Sequence, residues 1–365
     1  MKNIGILGGG QLALMMLPSI KSLGFSSTIL DQKDAPCSTL ADEFINGDFS
    51  KENDCLALKN CDVVTFEIES ISLSGLKKLE QLTKVYPSSQ VLETIQDKGI
   101  QKQFLKDIDV PTSDFTLEVL TQESIVDGKV VKLRTGGYDG KGVWVAKSGE
   151  KPSEFLGKDC LIEDRVDIVK EVAVVCSRNT SGQIEVYDMV EMVMNPELNL
   201  LDYQVNPAQV TSELKDSANL ITKKIAEKLD YVGTLAVEFF VDENKKLWVN
   251  ELAPRVHNSG HNTIESAPCS QFENHIRAIA GMPLGKTMPA KESLTMNLIG
   301  SGATGPTQVK IPKELESKAY YHLYNKKESR SGRKMGHVTL LGNLEEMKKL
   351  RLEIKEKVII TGEEV

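Results

Sequence analysis

Two glutamates, Glu238 in TLAVEFFVD and Glu251 in LWVNELAP, carry the clearest chemistry in the chain. Residues 234–242 and 247–254 read as the arms of a β-hairpin turning through 243–246. Pairing Asp242 with Leu247 sets Phe240 opposite Val249 and Glu238 opposite Glu251. Like charges directly opposite on a sheet destabilise it by up to ~1 kcal/mol unless something bridges them. Mg²⁺, shared between protein carboxylates and nucleotide phosphates, is the natural bridge. Val237, Phe239, Val241 and Trp248 would cover one face and Phe240 and Val249 the other, so the acids sit in an apolar hairpin and need a purpose. Asn250 alternates to the opposite side and reaches the same cation only if the strand is distorted.

The acids run directly into Leu-Ala-Pro-Arg-Val-His-Asn-Ser-Gly-His, residues 252–261. Arg255 can fork onto a phosphate beside the metal. His257 and His261 are candidates for phosphate contact or proton transfer, and Asn258, Ser259 and Gly260 form a tight polar turn. Hard oxygen donors so close by argue against a histidine-based zinc site. Upstream, VVKLRTGGYDGKGV places Gly136, Gly137, Gly140 and Gly142 between two strands, with Lys132, Arg134 and Lys141 around them. Such a loop needs mobility or close approach to a ligand, and a lid closing over phosphates supplies both. It lacks the order of a Walker loop.

Gly8, Gly9 and Gly10 lie between a strand and a helix, with Asp31 about twenty residues on. The pattern fits a dinucleotide turn imperfectly, because Ala13 holds the third glycine position and Gln11 puts an amide in the turn. A bare strand-to-helix turn and a phosphate or sugar pocket for another ligand are the other readings. Near the other end, Lys326, Arg330, Arg333 and Lys334 cluster in a chain whose net charge is -8.

Parallel α/β units must hold the first of these residues: strands at 3–7, 27–30 and 63–66, with a helix at 11–23. A polar helix is expected over 91–106, then a small antiparallel lid from runs at 130–133, 142–146, 160–163 and 170–176. Helices follow at 216–229 and 271–280, and a β-rich tail begins near Thr295. The 365 residues exceed one core, which gives domains at 1–95, 96–292 (lid 110–175) and 293–365. Acidity speaks against nucleic acid as a partner. Six scattered cysteines without a C-x-x-C pair, no signal-peptide pattern and no apolar run long enough for a bilayer lead to a cytoplasmic protein with no membrane partner.

Together, GILGGGQL, TFEIES, RTGGYDGKG, VEFF, NELAPRVHNSGH and the tail's GRKMGHV resemble the 5-(carboxyamino)imidazole ribonucleotide synthetase family over essentially the whole chain. The resemblance implies an ATP-grasp fold of the α/β (α+β) class, with an N-terminal doubly wound parallel domain and a small β-rich C-terminal domain. It implies that ATP and Mg²⁺ activate bicarbonate, and that the amine of 5-aminoimidazole ribonucleotide captures the carboxyl group, in a homodimer. Lys98, Lys132, Gly137, Gly140, Lys141 and Asn250 would serve ATP, with the hinge residues Glu163, Asp164 and Val166 at adenine and Glu171 at ribose. Glu238 and Glu251 match the metal ligands. Tyr138, Asp139, Arg255, His257 and Lys326 match the catalytic surroundings of the acceptor. Gly10, Gln11, Leu12, Glu67, His261, Arg330, Arg333 and Lys334 would hold the ribonucleotide. A formate-using glycinamide ribonucleotide transformylase or a biotin carboxylase would share lid and acids but not the HNSGH loop. An NAD-dependent oxidoreductase, or a regulatory nucleotide binder, would leave the acid pair without a purpose.

Overall fold

The computed structural model describes residues 2–124, 126–137, 142–146, 152–195, 200–288 and 290–363. Strands Asn3–Leu7, Ser26–Asp31 and Val63–Phe66 form, with Glu43–Asn46 and Lys84–Val85 at the edges, a five-stranded parallel sheet. The central strands are almost wholly buried, and their unbroken apolar runs suit a parallel sheet covered on both faces. Strand order reverses between Asn3–Leu7 and Val63–Phe66, so a crevice opens past their carboxyl ends, where Gly8 to Gly10 and Glu67 stand.

The helix expected over 91–106 is two helices, Ser89–Gln96 and Lys98–Asp107. Asp97 breaks it: its backbone is extended, and its carboxylate accepts from the amides of Gly99 at 2.8 Å and Ile100 at 3.2 Å, which starts the second helix. The same carboxylate holds Arg134 of the glycine loop at 2.8 Å.

The lid is a four-stranded antiparallel sheet in the order Phe115–Val119, Asp159–Asp164, Lys129–Leu133, Val143–Val145. Val131, Phe155, Cys160 and Ile162 make its own small core. The run at 170–176 does not belong to it. Ile168–Arg178 is an eleven-residue strand of a separate nine-stranded antiparallel sheet, paired along its length with Gly233–Asp242. Val172 to Ser177 are buried on both faces, which a thin lid does not provide.

That central sheet starts at the edge strand Leu247–Ala253 and passes through Gly233–Asp242, Ile168–Arg178, Val190–Asn195 and Leu200–Asn206. It continues into Ser293–Ile299, Lys334–Leu341 and Tyr320–Leu323, so the β-rich tail extends the sheet that carries the two glutamates. Helix Gln271–Ile279 joins the parallel sheet to the central one, its Phe272 and Ile276 packing with Ile4, Met16 and Ile20 of the first domain. At the join, His275 accepts from the Thr234 amide at Nδ1 (3.0 Å), so its proton sits on Nε2 and is donated to Thr65 Oγ1 at 2.9 Å. Burial pushes this histidine down to about 4 and keeps it neutral. Gly233, at φ +125°, leaves the room that the imidazole fills; a Cβ there would lie 3.1 Å from His275 Cε1.

Candidate active site

Glu238 does face Glu251, but not by the expected register. Val241 pairs with Leu247, Phe240 with Trp248 and Phe239 with Val249, one residue out of step with the Asp242–Leu247 and Phe240–Val249 pairings. The cause is Asp242, which folds back to cap the turn, accepting from the amides of Asn244 and Lys246 and from Trp248 Nε1, each at 2.9 Å. A β-bulge between Glu238 and Phe239 absorbs the slip, and Asn250 is its extra residue. Phe240 and Trp248 therefore share a half-buried face, while Phe239 and Val249 are in the core. The bulge is also the distortion that Asn250 needs to turn toward the acids' neighbours: its Oδ1 accepts from Lys132 Nζ at 3.0 Å.

Burial, with Glu251 and Glu171 close by, pushes Glu238 up to about 7 even though Lys98 and Arg255 oppose it. Glu171 is itself raised by burial. Lys98, the first residue of its helix, pairs with Glu251. These acids repel one another and have too few cations to satisfy them. Among the described residues no trio of His, Cys, Asp or Glu converges, so a cation here would complete its shell from Asn250, water and ligand oxygens, as Mg²⁺ does.

Behind the acids lies a buried network that joins Lys132 and Glu163 to a residue sequence reasoning missed, Lys102. Lys102, one turn beyond Lys98, meets Glu163 at 2.7 Å, and Lys132 meets the other oxygen of Glu163 at 2.6 Å. Ser113 Oγ donates to Glu163 at 2.6 Å, and Lys102 also donates to Thr112 Oγ1 (2.5 Å) and the Val249 carbonyl (3.2 Å). Burial alone would raise Glu163, but the two ammonium groups outweigh it and hold the carboxyl at about 2. Burial lowers Lys102 to about 8, against the pull of Glu163. The available signal was the spacing Lys98, Lys102, Leu105, which puts two lysines on the apolar face of one helix.

The HNSGH loop is clamped by Gln271, whose Oε1 accepts from the His257 amide at 2.9 Å and whose Nε2 donates to the His257 carbonyl at 2.7 Å. Gly260 has no side chain because the Gln271 amide lies where its Cβ would be, 2.5 Å away. His257 Nδ1 accepts from the Ser259 amide at 3.3 Å, which directs Nε2 toward Glu238 Oε1 at 3.5 Å. Burial and the nearby Arg255 hold this imidazole neutral. Arg255 pairs with Glu69 at 2.8 Å and donates to the Val256 carbonyl, so its fork is engaged on protein groups.

At the crevice, the helix amides are already occupied. The Glu67 carboxylate accepts from Gly10, Leu12 and Ala13, and Asp31 accepts from Gly9. The helix amides are thus spent on Glu67, and Asp31 is spent on the Gly9 amide, and the dinucleotide reading fails. Gln11 instead points to the tail, where Lys326 Nζ donates to its Oε1 at 3.0 Å and to the Lys334 carbonyl at 2.6 Å.

The structure therefore gathers Lys98, Lys132, Glu163, Asn250, Glu251, Glu238 and His257 in one group, and Gly10, Gln11, Leu12, Glu67, Lys326 and Lys334 in another. His261 lies deeper, stacked between Phe272 and His337, fully buried. Arg330 is exposed, and Arg333 donates to the Glu328 carbonyl at 2.6 Å. In the hinge, Asp164 is exposed and paired with Lys129, and Val166 and Gly137 are half-buried. Tyr138, Asp139, Gly140 and Lys141 lie outside the described residues.

Three family models match consecutive parts of the chain: a ribonucleotide synthetase preATP-grasp domain over 1–96, an ATP-grasp domain over 103–272, and a phosphoribosylaminoimidazole carboxylase C-terminal domain over 293–350. The N5-carboxyaminoimidazole ribonucleotide synthase of Brucella melitensis is 36% identical over 353 residues, spanning 92% of this chain and 95% of that protein. The crystal structure of N5-carboxyaminoimidazole ribonucleotide synthetase from Thermotoga maritima superposes with a TM-score of 0.90 at 35% identity, covering 100% of both chains. An Aspergillus clavatus N5-carboxyaminoimidazole synthase in complex with ADP and 5-aminoimidazole ribonucleotide matches at 28% identity and TM-score 0.83, over 97% of this chain and 96% of that one.

Proposed function

The chain belongs to the N5-carboxyaminoimidazole ribonucleotide synthase family of ATP-grasp ligases, and from that premise we propose which residues perform the ATP-dependent carboxylation of 5-aminoimidazole ribonucleotide. The observation that carries the reading is the bulged hairpin: Glu238 and Glu251 face each other beside Lys98 and Lys132, which come from two other elements. Glu238, Glu251 and Asn250 would hold Mg²⁺, which when bound neutralises phosphate charge and draws the transferring phosphoryl group toward its acceptor. Lys98 and Lys132 orient the ATP phosphates. The hinge at 163–166 takes adenine through its backbone, since the Glu163 carboxylate is fully engaged by lysines and Ser113. Glu171 faces the ribose.

Bicarbonate accepts the γ-phosphoryl group, and the carboxyphosphate so formed loses phosphate to give CO₂. The exocyclic amine then attacks the CO₂ carbon, forming the N–C bond and releasing a proton. Neutral His257 holds its Nε2–H toward this space, where it can donate a hydrogen bond to a developing oxyanion, while the proton lost by the amine leaves on the released phosphate. By the family resemblance Tyr138 and Asp139, which lie outside the described residues, would serve the acceptor. Gln11, Glu67 and Lys326 line the ribonucleotide side, with Arg330, Arg333 and Lys334 toward its phosphate. A homodimer and a cytoplasmic location complete the reading, the latter supported by six buried, unpaired cysteines.

Labelled bicarbonate tests the reaction directly. Acid-labile label should be trapped in step with ADP, only when 5-aminoimidazole ribonucleotide is present, and formate with glycinamide ribonucleotide should give phosphate release no higher than background. ADP formation without trapped label sinks the assignment. For the tail, Arg333→Ala should weaken ribonucleotide binding by about 1.5 to 3 kcal/mol, or roughly one to two decades, while ATP affinity barely moves. Isothermal titration with each ligand separates this from a supporting role, which would weaken both equally.

A further inference from the structure

Glu163 and Lys132 sit on adjacent lid strands, and Glu163 pairs in register with Val130, two residues before Lys132. They are diagonal neighbours on one face, close enough for long side chains to meet. Each Glu163 oxygen takes a different lysine: Oε1 takes Lys102, from the core helix Lys98–Asp107, and Oε2 takes Lys132, from the lid. Side-chain exposure is 3% for Lys102, 4% for Glu163 and 12% for Lys132.

The three groups are not equivalent. Lys102 points its ammonium at Glu163, Thr112, Ser113 and the Val249 carbonyl, which use all its donors and tie it to the core. Lys132 bonds Glu163 and Asn250, which leaves it one N–H beside the paired acids. Val249 and Asn250 are consecutive residues, so the network clips the lid sheet to the bulged strand at one point.

We propose that Glu163 is a positioning residue: its carboxylate, fixed by Lys102, holds Lys132 at the place where the ATP phosphates are gripped. Lys102 anchors the carboxylate and touches no ligand. A long lysine otherwise has many rotamers, and holding one of them before ATP arrives removes an ordering penalty from nucleotide binding. The proposal rests on the reading of Lys132 as a phosphate contact.

Steady-state kinetics of four variants, each with a thermal melt, test it. Glu163→Gln leaves two buried lysines without their carboxylate and is expected to lose stability, so the double variant Glu163→Gln/Lys102→Met, which removes one charge of each sign, carries the test. The double variant should fold, and its kcat/KM for ATP should fall about 30-fold, or about 2 kcal/mol. Much of that loss should lie in KM for ATP, with KM for the ribonucleotide within threefold of the parent. Lys102→Met, which keeps the Glu163–Lys132 pair but removes its anchor, should lose less kcat/KM for ATP than the double variant does. A folded double variant with near-parental ATP kinetics overturns the proposal, as does one that fails to fold, since the carboxylate then serves the fold. A loss in Lys102→Met as large as in the double variant also overturns it. Lys132→Met is the control: normal ATP kinetics in it would bring down the phosphate-contact reading itself, whereas an impaired Lys132→Met beside a healthy double variant brings down only the role of Glu163.

Discussion

Glu251→Gln is expected to lower ATP turnover by three or more powers of ten while leaving the fold in place. At about 1.4 kcal/mol per decade, that is a loss of at least about 4 kcal/mol of transition-state stabilisation. The carboxylate lies opposite Glu238 across the bulge, and Glu171 adds a further charge beside Glu238, so the pair is tolerable only when a cation or a lysine is among it. Glutamine keeps the shape and the strand pairing but removes one of the two charges that would fix the metal. Relief of repulsion makes the empty protein no less stable, and Lys98 loses only a partly exposed partner. The expected pattern is therefore an unchanged or slightly raised melting temperature with kcat collapsed. Turnover near the parental value would show that the paired acids are not the metal site.

Glu163→Ala should destabilise the chain by on the order of 3 to 5 kcal/mol, because it strands two buried ammonium groups near each other. Urea unfolding at several pH values gives this a signature. The Lys102 value in the folded protein, about 8, lies below its ordinary 10.5, so between those values the unfolded chain binds more protons. Stability contributed by this lysine therefore rises with pH and is lowest below about 8. Without Glu163 to favour the charged form, Lys102 should be pushed lower still. The deficit of the variant against the parent should accordingly narrow as pH rises from 7 toward 9. A deficit of under 1 kcal/mol at pH 7, or one that widens with pH, would contradict the network.

The parts of the site that sequence pattern disclosed are those built on local periodicity. The acid pair in its hairpin, the glycine lid and the buried parallel strands all follow from alternation and turn residues within some twenty positions. What escaped depends on side chains choosing partners across the fold. Asp242 took the turn amides and slipped the register, and the bulge then restored the acid pair, an outcome that counting residues from the turn reached by a different route. Glu67 and Asp31 were visible as acids, but only the structure shows Glu67 taking the helix amides, and Asp31 the Gly9 amide, that a phosphate would otherwise use. Run 170–176 looked like lid because it follows the other short runs across a charged turn, whereas its sheet was decided by burial on both faces. The tail residues carried no local signal beyond charge; their partner Gln11 is 315 positions away.

That last separation sets a clock on biosynthesis. Gln11 leaves the ribosome early, but Lys326, which completes its contact, follows 315 residues later. At about 5 to 20 residues per second, roughly 15 to 60 s pass between the two. Over that interval the parallel sheet can form and the acid hairpin can close, yet the ribonucleotide side stays open until the final strands join the central sheet. On the proposed assignment, a growing chain acquires the lysines that would grip phosphate well before it acquires the acceptor's place. On that assignment, coupling of ATP use to carboxylation would await the finished polypeptide, with Lys326 in contact with Gln11.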